Sequence, residues 1–277
     1  MTVIIGTVVL VIALLCILLL FLIFPRFTER ADMELLRTNY AHRGLWDARI
    51  PENSLPAFAR AVQHGYGIEL DVQRTRDGRL IILHDDTLLR SCGVNKRPSE
   101  LTYDELRLLR IRGTDLQVPS LAEVLRLVDG RVPLMIEVKG LAVDKVLCEG
   151  LTRLLDRYMG PFCIESFSPL ILRWFKHHRP SYARGQLVTR MTKAEHKSNF
   201  FIRFCATNMI FNHLSRPDFI SMNIQSRRRL TFFICHRLLH TDAFLWTVRN
   251  EEEMEICRKM GMGAIFDGFL PTKPNKK

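Results

Sequence analysis

Beyond residue 39 the chain alternates short apolar runs with longer amphipathic stretches, a pattern that restricts it to parallel strands joined by helices. Strand candidates lie at residues 40–42, 68–72, 80–84, 134–138, 162–167, 183–187, 219–224, 243–248 and 264–267. These nine runs are one more than an eight-stranded barrel takes. Thr75-Arg76-Asp77-Gly78 supplies turn residues between the second and third runs, so residues 80–84 are expected to fold back on residues 68–72 as a hairpin. Eight parallel strands remain. Helix starts are marked between them: Thr102-x-x-Glu105 and Ser120-x-x-Glu123 read as capping boxes, and Asn250 precedes three glutamates. Leu121, Val124, Leu125 and Val128 then repeat at helical spacing. The expected architecture is a TIM-type (β/α)8 barrel with an extra β-hairpin strand, preceded by one N-terminal transmembrane helix.

That helix is read from residues 3–24, an unbroken apolar run in a stretch, 1–25, that has no charged side chain. As a helix it would be roughly 33 Å long, enough for the roughly 30 Å hydrocarbon core of a bilayer. No Lys or Arg precedes it and it exits through Phe24, Pro25 and Arg26, which suits a retained anchor better than a cleaved signal peptide. A buried core helix is disfavoured because no side of it is polar. Arg26, Arg30, Arg37 and Arg43 crowd the exit, so the chain is expected to be a single-pass protein of the cell membrane with its barrel in the cytoplasm. Seven cysteines without a C-x-x-C pair agree with a reducing compartment. The expected division is an anchor at 1–25, a linker at 26–37, the barrel at 38–270 and a polar tail at 271–277.

With no charge in the anchor, the whole formal +11 belongs to the rest of the chain and favours an anionic membrane surface or phosphate-bearing substrates. Nucleic acid is not expected as a partner. There is no zinc-ligand spacing, no RNP-like motif and no basic block longer than Arg227-Arg228-Arg229.

In a parallel barrel the working residues gather at the C-terminal ends of the strands. Here those ends read His42-Arg43-Gly44, Glu69-Leu70-Asp71, His84-Asp85-Asp86 and Glu137-Val138-Lys139. Glu69 and Asp71 are two apart on a strand and share a face, and Glu137 is the one acid among Leu134, Met135, Ile136 and Val138. Carboxylates packed together repel unless a hard cation takes their oxygens, so Glu69, Asp71 and Glu137 are candidate ligands for Mg²⁺ or Ca²⁺. Buried ion pairs with Arg43 and Lys139 are the bland alternative. His42 and His84 flank the acids as a candidate acid/base pair, and Arg43 and Lys139 are candidate phosphate clamps. Pro51-Glu52-Asn53-Ser54 opens a helix: Asn53 or Ser54 caps it, or Glu52 and Asn53 contact substrate or orient Arg43.

Taken in order, AHRG at 41–44, PENSLPAF at 51–58, GIELDVQRTRDG at 67–78, LHDDTLLR at 83–90, PLMIEVKG at 133–140, SF at 166–167, RGQL at 184–187 and LWTVRNEEE at 245–253 make the chain resemble the glycerophosphodiester phosphodiesterase family. The resemblance covers nearly everything after the anchor. It implies a barrel that uses a divalent cation to hydrolyse glycerophosphodiesters to an alcohol and glycerol 3-phosphate in glycerophospholipid metabolism. It also implies His42 and His84 as acid and base, Glu69, Asp71 and Glu137 as ligands, and Arg43 and Lys139 at the phosphate. Trp246 would line the glycerol pocket, or else serve as a barrel-core aromatic. Two departures stand out: Phe266-Asp267-Gly268-Phe269 replaces a Thr-Asp found near the last strand of many members, and Thr-Val-Arg-Asn puts Arg249 at the same rim. Rival readings are a lysophospholipase D-like enzyme, a polyol-phosphate-polymer phosphodiesterase, or a non-catalytic membrane module. Residues 199–214, after the sixth barrel strand, are unusually apolar. They form either a core-packing helix or a second membrane contact, which would favour a lysophospholipid over a small soluble diester.

Overall fold

The computed structural model describes residues 1–26, 33–192 and 198–272. Part of the expected linker (with Arg30), the segment holding Lys193 and Lys197, and the end of the expected tail lie outside them. Eight strands close into a parallel ring: β1 (Tyr40–His42) and β2 (Gly67–Arg74), then β4 (Leu134–Val138), β5 (Phe162–Ser166), β6 (Ala183–Val188), β7 (Phe219–Asn223), β8 (Asp242–Val248) and β9 (Gly263–Phe266), which pairs back to β1. The extra strand, β3 (Leu80–Ile82), lies antiparallel on β2 outside the ring, as its turn chemistry predicts. It stops at Ile82 because the Gln73 amide takes over the chain beyond it, donating to the carbonyls of Leu83 and Asp85 at 2.8 Å each. Since β3 is outside the ring, β6 is sixth in the chain but fifth around the barrel, which corrects the placement of residues 199–214.

The helices follow in order: α1 (Thr2–Ile23), α2 (Met33–Leu36), α3 (Leu55–His64), α4 (Leu89–Cys92), α5 (Tyr103–Arg107), α6 (Leu121–Val128), α7 (Lys145–Leu155), α8 (Pro169–His178), α9 (Phe200–Thr207), α10 (Asn212–Ser215), α11 (Leu230–Phe233) and α12 (Glu251–Met260). Both predicted capping boxes are made, at Thr102 and Ser120, and Asn250 accepts from the Glu253 N–H. Ser54 caps α3, accepting from Ala57, which leaves Asn53 for another task.

Strand periodicity divides the barrel interior into two layers. The lower one, at the N-terminal strand ends, is apolar: Tyr40, Met135, Cys163, Ala183, Phe219, Phe244 and Ile265 pack together, closed from below by Met33 and Leu36 of α2. Two residues further along stand His42, Glu137, Glu165, Ser221, Trp246 and Asp267, and Glu69, in register with His42, joins that layer. The alternate positions, such as Ile68, Leu70, Ile136, Ile164, Ile220 and Leu245, face the helices. Glycines make room for the lower rings. A Cβ on Gly185 would lie 2.1 Å from the Phe219 ring, and one on Gly263 would lie 2.3 Å from Phe244.

α1 is long and apolar enough to cross a membrane, and by length and composition it is a candidate membrane span or signal sequence. Only its last turns meet the barrel. Ile23 is fully buried, its carbonyl accepting from the Asn212 amide at 3.0 Å, while Arg216 donates to the carbonyls of Phe21 and Phe24. Arg26 pairs with Asp218 at 3.0 Å and donates its N–H to Pro217. No disulfide joins the described cysteines.

The lower layer has no slack for an added methyl at Gly185. Gly185→Ala should destabilise by about 1–3 kcal/mol, lowering Tm by roughly 2–12 °C in thermal denaturation. An unchanged Tm would mean that the Phe219 ring does not pack as described.

Candidate active site

Local backbone chemistry sets the site. At the end of β1 the chain turns sharply through Arg43 and Gly44, both left-handed, with φ of 59° and 83°. Gly44 must be glycine, because a Cβ there would lie 2.9 Å from Ala57. Arg43 tolerates a conformation that costs a non-glycine residue about 1–2 kcal/mol, and the turn is held by the Asn53 N–H donating to the Arg43 carbonyl at 2.8 Å. The reversal aims the Arg43 N–H at Glu69 Oε2, 3.0 Å away.

Glu69, Asp71 and Glu137 come together as the strand periodicity predicts: one carboxylate oxygen from each lies within 4.8 Å of the others, and all three side chains are buried. The ion pairs offered as the alternative are present too. Lys139 Nζ sits 2.9 Å from Glu137 Oε1 and 3.1 Å from Asp71 Oδ1, and Arg43 Nε is 3.5 Å from Asp71 Oδ2. Glu52 accepts from Arg43 Nη1 at 3.1 Å, and Asn53 Nδ2 donates to Asp71 Oδ2 at 2.8 Å. Both therefore touch the cluster: Glu52 orients Arg43 and Asn53 orients Asp71.

The histidines flank the acids, each tied through Nδ1 to a carboxylate. His42 Nδ1 is 2.9 Å from Asp267 Oδ2, and His84 Nδ1 is 2.7 Å from Asp85 Oδ1. A carboxylate only accepts, so Nδ1 carries the proton in each ring and Nε2 is left to exchange one. His42 Nε2 is 3.9 Å from Glu69 Oε2. His84 opens on a cleft of about 660 Å³ lined also by Asp85, Asp86, Arg90 and Lys139. Trp246 stands apart from the ionic groups, donating Nε1–H to the Ser221 carbonyl at 2.9 Å and packing edge-to-face on Phe167.

Electrostatics separate these acids. Burial and its acidic neighbours push Glu69 well above the usual carboxylate range, and burial raises Glu137 to about 7 against the pull of Lys139. Asp71 is driven the other way: burial is outweighed by Lys139, His84 and Arg43, which hold it well below its ordinary value. His84 is lowered, chiefly by burial and also by Lys139 and Arg43.

Several groups escape a reading of the sequence. Glu165, buried and hydrogen-bonded by Ser221, is a fourth acid in the same layer, raised to about 8 by burial and by Glu137 and Asp71. It interrupts an apolar strand just as Glu137 does, and pairs with it in register, so the same signal would have found it. Asp267 and Asp85 orient the histidines, and Arg90 ties Asp85 to Glu52. Asp85 directly follows His84, whereas the reach of Asp267 to His42 and of Arg90 to Glu52 is set by the closing strand and by loops, which no local pattern announces.

The donor set suits a hard divalent cation. Oxygens sharing one ion at about 2.0–2.6 Å must lie within roughly 5 Å of each other, as these do.

Comparison with known proteins shows the family and the fold. A glycerophosphodiester phosphodiesterase from Caldanaerobacter subterraneus is 29% identical over 247 residues, covering 84% of this chain and 93% of that protein. The human protein named lysophospholipase D GDPD1 is 31% identical over 143 residues, 47% of this chain and 44% of its own. Among solved structures, an Oleispira antarctica phosphodiesterase in complex with the product sn-glycerol-3-phosphate superposes with a TM-score of 0.71 at 20% identity, covering 85% of this chain and 94% of that one. The Thermotoga maritima glycerophosphodiester phosphodiesterase gives 0.64 at 23%, covering 83% and 94%. The model of the glycerophosphoryl diester phosphodiesterase family matches residues 42–269. Because that span runs from His42 through Asp267 and so takes in every charged group of the cluster, the chain belongs to the glycerophosphoryl diester phosphodiesterase family, whose members are phosphoric diester hydrolases.

Proposed function

We propose that this protein is a membrane-anchored glycerophosphodiester phosphodiesterase that releases an alcohol and glycerol 3-phosphate, with Glu69, Asp71 and Glu137 holding Mg²⁺ or Ca²⁺ and with His42 and His84 exchanging protons. The observation that carries it is the pair of imidazoles, each pinned at Nδ1 by a carboxylate, on either side of three converging carboxylate oxygens. The cation would supply charge neutralisation and Lewis-acid polarisation of the diester.

The chain's own groups do the rest. Arg43, steadied by Glu52, and Lys139 bind the phosphoryl oxygens. His84, lowered and therefore neutral at pH 7, accepts the proton of the attacking hydroxyl through Nε2, whether that hydroxyl is water or the substrate glycerol's own. His42, aligned by Asp267, protonates the departing alkoxide. Trp246 and Phe167 wall the glycerol side.

The same reading keeps residues 1–25 as a retained anchor, 26–37 as a linker, 38–270 as the barrel and 271–277 as a tail. Retention is supported by the buried Ile23, since cleavage after the apolar run would empty its seat beneath Asn212 and Cys235. A cytoplasmic barrel at the cell membrane is supported by Arg26, Arg37 and Arg43 on the exit side, although all three also serve the fold through Asp218, Asp242 and Glu52.

His42→Ala and His84→Ala should each cut kcat on glycerophosphocholine or glycerophosphoglycerol by about 10²- to 10⁴-fold, with an unchanged circular dichroism spectrum. Activity within a factor of two or so of the parent for either variant would remove that residue from the chemistry.

The cation leaves a second signature. Glu69, Glu137 and Glu165 have folded pKa values above their unfolded ones, so without metal the folded chain binds more protons, and stability falls as pH rises from the ordinary range of about 4–5 to about 8. Asp71 opposes this only below about pH 4, where its lowered value loses stability on acidification. Mg²⁺ or Ca²⁺ near a hundred times Kd should therefore raise Tm by roughly 5–10 °C at pH 8 and less at pH 5. A Tm indifferent to both ions and to chelator at pH 8 would sink the metal site.

A further inference from the structure

The outer face between β6 and β8 carries large apolar side chains that stay exposed among the described residues. Phe200, Phe201 and Phe204 of α9 are 75%, 68% and 51% exposed, and Leu230 and Phe233 of α11 and Leu238 of the following π-helical turn are 69%, 52% and 61% exposed. Soluble surfaces rarely group so many large apolar side chains. Only part of residues 199–214 packs inward, through Cys205, Thr207, Met209 and Asn212. Positive charge accompanies the patch: from Ser198 to Thr241 there are six arginines against one acid, Asp218, which is already paired with Arg26 and Arg184.

α1 lies in the same face. Its carbonyl at Ile23 accepts from Asn212, on the helix that follows α9, and from the Cys235 thiol, on the turn that continues α11. The contacts also give its direction. Arg26 meets Pro217 and Asp218, just before β7 and so at the lower end of the barrel, whereas Ile23 meets Asn212, about one helical turn higher on α10. Traced back toward its N-terminus, α1 climbs toward the catalytic end and leaves the barrel; residues before Leu19 are exposed. α9 and α11 begin at that same end, each after the C-terminus of a barrel strand, β6 and β7.

Resting on the reading of α1 as a retained span, we infer that the barrel is held with its catalytic end toward the bilayer, and that α9 and the helix beginning at Leu230 dock into an anionic phospholipid surface beside α1. The phenylalanines and leucines enter the headgroup and acyl boundary, and Arg228 and Arg237 reach lipid phosphates. The site then receives its diester from the membrane surface, which favours a substrate with one retained acyl chain.

Tryptophan quenching in the full chain tests this, in vesicles of phosphatidylcholine and phosphatidylglycerol that contain brominated lipid. Phe200→Trp and Phe233→Trp should each add emission that the bromines quench, measured against the parent. Met159→Trp, at an exposed lower loop between α7 and β5, should add emission that they do not. Quenching at 159 alone, or at none of the three, overturns the orientation. In a second arm, replacing Phe200, Phe201 and Phe204 together with Ser should slow hydrolysis of vesicle-borne lysophospholipid by about tenfold or more, the worth of one apolar side chain's transfer. Turnover of soluble glycerophosphocholine should hold. Equal loss on both substrates, or loss on neither, overturns the docking surface. A parent chain inactive on every diester would instead strike the proposed function, whatever the quenching pattern.

Discussion

The upper end of the barrel is governed by the balance of buried charge. Glu69, Asp71, Glu137 and Glu165 are all removed from water in one interior layer, and the cations closest to them are Lys139 and Arg43. Desolvating a carboxylate costs several kcal/mol, and two positive charges cannot neutralise four negative ones. In the bare chain, protons make up the difference, which is why Glu137 and Glu165 titrate near 7 and 8 while Asp71, taking both cations, stays ionised. Such a layer has an unmet demand for positive charge at neutral pH. A hydrolase of anionic diesters needs just that, since positive charge at its site must outweigh the repulsion that several carboxylates exert on the substrate.

The fold can hold so costly a layer because the stabilising contacts are elsewhere. On five of the eight strands the inward positions two residues apart differ in kind: Tyr40 then His42, Met135 then Glu137, Cys163 then Glu165, Phe219 then Ser221, Ile265 then Asp267. The lower member packs against rings, glycines and α2, and the upper member brings a polar side chain into the layer of the candidate site. Outside the ring, the alternate residues bury against helices in one continuous core. Strain at the catalytic end, including the left-handed Arg43, is thus supported by a scaffold that does not share its chemistry.

This separation explains what could be read from the residues in advance. Strand runs, the hairpin and the caps are local signals, and all of them are found close to their expected places. Glu69, Asp71 and Glu137 are legible because an acid in an apolar strand contradicts its surroundings, and Glu165, in a run that ends at Ser166-Phe167, obeys the same rule. What could not be read is contact across the chain. His42 meets Asp267 across 225 positions, and Arg90 reaches Glu52 across 38. Between Asn53 and Ser54 the helix cap is likewise settled by a distant contact, because Asn53 is committed to Asp71 and Ser54 takes the cap.

The seat of α1 follows the same logic and sharpens the meaning of the anchor. An apolar helix on a free linker would say only that the barrel is near a membrane, with every orientation allowed. Here the last turns of that helix are wedged between α10 and the turn after α11, with Ile23 fully buried and Asn212, Arg216 and Asp218 all committed to it. Each contact fixes a rotational degree of freedom, so with α1 as the span proposed above, the direction in which it leaves the barrel would determine which end of the barrel faces the bilayer. Burial of a single isoleucine, with the polar groups around it, thereby ties the N-terminal segment to the orientation of a catalytic end built by strands far along the chain.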